Sequence, residues 1–194
     1  MRTLLFLLIV SSIILLSQSI YSDPTVYAAE NLDRYWSVLT GDQQIPPVNT
    51  DARGYVGLKF QDDLNRLVFI VNGENIGNVT GIYIYQNGEN RNGTGTAVLD
   101  LLNGTRKIKK DIDKFVSTTS EGKMVGTLSI GGATKHDLQG KLKGKSLSDL
   151  LTLMVNGTAY IVIHTKDFPD GEISGKSFIG IDRLFPDFTD IKWK

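Results

Sequence analysis

Eight short runs of mostly alternating residues, each closed by turn-forming residues, follow one another along most of this chain. They are Tyr35–Thr40, Gly54–Phe60, Arg66–Val71, Val79–Gln86, Thr96–Leu102, Val125–Ile130, Thr158–Thr165 and Glu172–Phe178. In Gly54–Phe60 the two faces separate cleanly, Val56, Leu58 and Phe60 on one and Tyr55, Gly57 and Lys59 on the other. A residue period of two marks a strand with one face toward a core. The 20 glycines fall mostly between the runs. This pattern predicts an all-β fold, an antiparallel β-sandwich or barrel of about eight short strands.

One segment breaks the period. Ser146 and Asp149 have capping-box spacing, and Leu147, Leu150, Leu151 and Met154 form one apolar stripe at helical spacing. Asn156-Gly157 supplies the stop, so a short helix is expected near 147–155, packed on the core or plugging one end of it. The charged stretch Arg106–Lys123 has no clean period and reads as a long solvated loop, with room for a short helix at Asp111–Phe115.

Met1-Arg2-Thr3 and the apolar run Leu4–Leu16 look like the start of a signal peptide spanning residues 1–28. That run is shorter than an ordinary membrane span, although an uncleaved anchor is the alternative. Either reading places the domain outside the cytoplasm, secreted or at the cell surface. Membrane contact is then expected only through the N-terminal segment, if it is uncleaved. The domain itself is expected over 34–179, followed by a C-terminal tail, 180–194.

The chain contains no cysteine, so disulfides and thiolate metal sites are excluded and stability must come from packing. Lys+Arg and Asp+Glu both number 21, a balance that argues against nucleic acid as a partner. Asn78, Asn92, Asn103 and Asn156 each begin an Asn-X-Thr sequon. They are candidate N-glycosylation sites, although Asn-Gly-Thr is also ordinary turn composition.

Of the two histidines, His136 lies in a polar stretch and reads as a surface residue. His164 closes the run Thr158–Thr165, on the face shared by Tyr160 and Val162, just before a Pro169-Asp170-Gly171 turn. Asp167, Asp170 and Glu172 surround that turn. They are a candidate calcium set, which would make the chain a calcium-stabilised adhesion-like module, with plain turn chemistry as the alternative. No Gly-x-Ser-x-Gly elbow or other complete catalytic set is present, so the chain reads as non-enzymatic, with no cofactor expected.

Four segments carry a resemblance to a known family: LTGDQQIPPVNTDARGYVGLKF, VTGIYIY, VGTLSI and TAYIVIHTKDFPDGEISGKSF. Over about Tyr35–Phe178 the chain resembles the CHRD domain, the module named after chordin and widespread in secreted microbial proteins. The resemblance implies an extracytoplasmic β-sandwich or barrel acting as a binding or structural module. Its partner would be an extracellular protein or glycan of unknown identity. Family members often carry His-Ile-His where this chain has Tyr83-Ile84-Tyr85, and a further histidine at the position of His164. The resemblance thus groups Tyr83, Tyr85 and His164 as a ligand-contact set or a degenerate metal or redox site. Phenols are poor metal ligands near neutral pH.

Overall fold

The computed structural model describes residues 34–61, 63–87, 95–103, 106–107, 116–118, 124–176 and 178–179. The proposed signal peptide, the C-terminal tail, the segment 111–115 and Asn92 lie outside these residues. Among the described residues, no helix is long and apolar enough to cross a membrane.

The strands are β1 (Arg34–Thr40), β2 (Arg53–Gln61), β3 (Arg66–Ile76), β4 (Val79–Gln86), β5 (Thr96–Asp100), β6 (Arg106–Lys107) and β7 (Val116–Thr118). They continue as β8 (Met124–Ala133), β9 (Ala159–Thr165), β10 (Ile173–Lys176) and β11 (Phe178–Ile179), and the α-helix α1 (Leu147–Val155) precedes β9. All pair antiparallel in one sheet ordered β5-β4-β9-β10-β1-β2-β3-β8-β6, with β11 on β1 and β7 on β8. The all-β expectation holds, and the sheet is a curled half-barrel.

The connections show why the sheet curls. β3 and β4 stand five steps apart in the strand order, about 24 Å along a flat sheet. Only Gly77 and Asn78 link them, a reach of about 11 Å. The sheet must therefore bend until the end of β3 meets the start of β4. Its two flanks then approach each other: Ser129 on β8 donates its hydroxyl to the carbonyl of Leu101, just past β5, at 2.6 Å. Leu99 also bridges to Leu138, beyond β8.

The bend encloses one core. Phe60, Leu67, Phe69, Ile82, Ile84, Leu99, Ile161 and Ile163 are among its buried side chains. Each such side chain contributes about 1.5–3 kcal/mol, which is how a chain without disulfides can hold together. The helix lays Leu147, Leu150 and Met154 on this core, with Leu151 partly buried beside them.

Ser146 and Asp149 form the expected capping box. The Ser146 hydroxyl and then its backbone N–H hold the Asp149 carboxyl below its ordinary pKa. Because the folded pKa is lowered, this contribution is complete above the usual carboxylate range and fades as pH falls through the lowered value. Replacing Ser146 with Ala is expected to cost about 1 kcal/mol near neutral pH, and less in acid, in denaturant titrations run across pH.

Two local expectations are corrected. The segment 106–123 is not wholly a loop: β6 and β7 both pair with β8. Runs of two and three residues are too short to show alternation, and they form because β8 offers unpaired backbone groups. The run read as Arg66–Val71 also does not stop at the following Asn72-Gly73, since β3 continues to the fully buried Ile76. Irregularities in the β3–β8 register after Val71 and Gly73 absorb the turn residues, and burial of Ile76 outweighs the local turn preference.

Candidate functional site

β4 and β9 lie side by side near the middle of one flank. Ile82 and Ile84 on β4, and Ala159, Ile161 and Ile163 on β9, point into the core. Alternation sends Tyr83, Tyr85, Tyr160, Val162 and His164 to the outer face. The register then decides neighbours: Tyr85 opposes Tyr160, Tyr83 opposes Val162, and Gly81 opposes His164.

Glycine opposite His164 makes room for an aromatic ring. A Cβ on Gly81 would collide with the ring of Tyr83, which lies across that glycine. Tyr83 thereby reaches His164, with ring centroids 5.7 Å apart and planes at 72°. Tyr85 sits edge-on to Tyr83 at 6.1 Å and stacks on Tyr160 at 5.4 Å with an interplanar angle of 20°. The four rings form one continuous, half-buried layer.

Hydrogen bonds fix its orientation. Tyr85 Oη lies 3.0 Å from His164 Nε2, and His164 Nδ1 lies 2.9 Å from the Pro169 carbonyl oxygen. The backbone N–H of Gly95 donates to Tyr160 Oη at 3.2 Å. Burial raises the pKa of all three phenols. The Asp100 carboxylate adds to the rise at Tyr83, and the neighbouring tyrosines add to it at Tyr85, whereas the Gly95 N–H partly offsets it at Tyr160. The layer is therefore made of neutral phenols near pH 7.

The structure thus brings together the three residues grouped from sequence and adds Tyr160. Its place two and four residues before Val162 and His164 was visible as alternation. That it would stack on Tyr85 was not, because the pairing of β4 with β9 is not local.

This arrangement suits contact better than metal ligation. A neutral phenol is a weak metal ligand, since its proton comes off only well above pH 7, and both His164 nitrogens are engaged in hydrogen bonds. Among the described residues, no group of three or more His, Cys, Asp or Glu is placed to hold a metal.

The candidate calcium set does not come together. Glu172 is buried at 7% exposure, and its two carboxylate oxygens accept from Thr50 Oγ1 at 2.7 Å and Thr165 Oγ1 at 2.8 Å. Asp167 and Asp170 are exposed. Glu172 instead fastens the loop carrying GDQQIPPVNT to the β9–β10 turn. In the same place the Gln44 side chain lies directly over Gly171, whose φ of +117° suits glycine. The two longest motif segments are therefore in contact, which the sequence did not disclose.

Beside this latch opens a polar concavity of about 470 Å³, lined by Thr40, Asp42, Asn49, Thr50, Asp51 and Arg53 among others. His136 is exposed and begins no site, its N–H capped by Thr134. Of the sequons, Asn78, Asn103 and Asn156 are exposed.

No curated protein and no solved structure matches the chain. The CHRD domain does, over residues 35–177, close to the Tyr35–Phe178 over which the sequence resembles that family. That span contains the curled sheet, the latch and the aromatic layer, and CHRD domains are typically extracellular modules of the binding or structural kind. The chain belongs to the CHRD domain family.

Proposed function

We propose that this chain is an exported, non-enzymatic binding module that holds an extracellular protein or glycan against the outer face of β4 and β9. The observation that carries this reading is the continuous layer of Tyr83, Tyr85, Tyr160 and His164 on the solvent side of a rigid sheet. Tyrosine brings large contact area, few rotatable bonds and a hydroxyl that hydrogen-bonds at the rim, and so suits protein and sugar surfaces alike.

Binding to immobilised glycans and to extracellular proteins tests it. The double variant Tyr83→Ala, Tyr160→Ala is expected to weaken a captured ligand by about thirtyfold or more, as loss of a central aromatic anchor does. The exposed pair Lys143→Ala, Lys145→Ala should bind as the unaltered protein does. Equal binding by both variants, or a turnover activity lost in folded His164→Ala, would overturn the reading. The metal alternative predicts stoichiometric copper, zinc or iron in protein purified without chelators. The engaged nitrogens of His164 argue for none.

A further inference from the structure

Tyr85 and His164 are placed for a reaction that ligand contact does not use. The Pro169 carbonyl oxygen can only accept, so its 2.9 Å contact requires the proton on His164 Nδ1. In the neutral ring Nε2 then carries a lone pair, and Tyr85 Oη donates to it across 3.0 Å. A phenol that loses one electron becomes strongly acidic and must release its proton as the electron leaves. A base already joined to the hydroxyl makes that oxidation easier. Burial keeps Tyr85 protonated near neutral pH, so the acceptor is needed. The ring is half-buried rather than sealed, within reach of small oxidants from solvent.

We propose that Tyr85 is a redox-active tyrosine with His164 as its proton acceptor, and that it quenches oxygen-centred radicals of the peroxyl class. One electron passes from the Tyr85 ring to the peroxyl radical. The phenolic O–H bond breaks, and its proton crosses the existing hydrogen bond to form an N–H at His164 Nε2. The products are a neutral phenoxyl radical at Tyr85, an imidazolium still bonded through Nδ1 to Pro169, and a peroxide anion. The anion then takes the proton from the imidazolium, giving a hydroperoxide and restoring neutral His164. In sum, one hydrogen atom moves from Tyr85 to the peroxyl radical. Tyr160, stacked on Tyr85, and Tyr83, edge-on to it, shield the radical without supplying the proton acceptor. This activity is independent of whether the face also binds a partner.

The test exposes the full chain to peroxyl radicals from a water-soluble azo initiator, with freeze-quenched electron paramagnetic resonance and peptide mapping as readouts. In the unaltered protein the phenoxyl signal and the first oxidised peptide should map to Tyr85, and Tyr85→Phe should remove both. His164→Gln keeps a hydrogen-bond acceptor but not a base. It should slow oxidation of Tyr85 by about a hundredfold, the lower end of what a positioned proton acceptor contributes, and alter the solvent deuterium isotope effect. Oxidation spread over the tyrosines in proportion to exposure overturns the proposal, as does an unchanged rate in folded His164→Gln. Mapping in the unaltered protein decides the site even if that variant does not fold.

Discussion

Glu172→Ala is expected to destabilise the domain by about 3 kcal/mol, lowering its melting midpoint by roughly 10 °C. The side chain is buried, and each of its oxygens accepts a hydroxyl bond, one from Thr50 and one from Thr165. Hydrogen bonds to a charged group contribute about 1.5–3 kcal/mol each. Their loss leaves the Thr165 hydroxyl, on a residue only 1% exposed, poorly placed to find water. Asp167→Ala and Asp170→Ala remove exposed carboxylates from the same turn and should change stability by no more than about 0.5 kcal/mol. Thermal unfolding of the three variants separates a latch from a calcium site. A latch makes Glu172 far more costly than its neighbours and leaves the unaltered protein's midpoint indifferent to added calcium. A midpoint that rises with calcium, with all three variants blunting the rise, would restore the calcium reading.

Gly175→Ala should cost about 3 kcal/mol and loosen one seam in particular. Gly175 is on β10, where the strand meets β1. A Cβ there would press into the carbonyl oxygen of Val38 and lie 2.9 Å from Ser37 Oγ. Backbone cannot yield as the tip of a side chain does, so β1 and β10 must separate. Their registered pairing is a single position, Thr40 with Ser174, supported by Ser37 donating to the Lys176 carbonyl. Hydrogen exchange should accelerate in β10 and the adjoining part of β1 while β2–β3 amides stay protected. Gly144→Ala is the control. It has a positive φ, which Gly175 does not, but meets nothing within 4 Å, and should cost only about 1 kcal/mol of backbone strain. Similar losses in the two variants would show that close approach at the seam is not what requires glycine.

These positions show which features could be read without coordinates. β4 was legible to the residue at both ends, because Val79–Gln86 alternates and turn residues close it. The helix was legible for the same kind of reason, its cap and stripe being separated by only a few residues. β6 and β7 were not legible, since strands so short exist by virtue of the edge they join. Glu172 was misleading, because an acidic residue beside Asp167 and Asp170 reads as solvated or metal-binding until a threonine 122 positions away is seen to cover it.

The amino-acid sequence by itself determined the class of fold, most strand limits, the helix Leu147–Val155, the family, and the common face of Tyr83 with Tyr85 and of Tyr160 with His164. All of these follow from local periodicity or from contiguous motifs. Only the tertiary structure decided that those two faces are one. It set β4 against β9 in the register that joins Tyr85 to His164 across 79 positions, turned Glu172 inward, and curled the sheet so that Ser129 meets Leu101. Side-chain direction along a strand is fixed by the backbone of its immediate neighbours. Which strand lies alongside is fixed by the burial of the whole apolar set at once, and no window of sequence contains that.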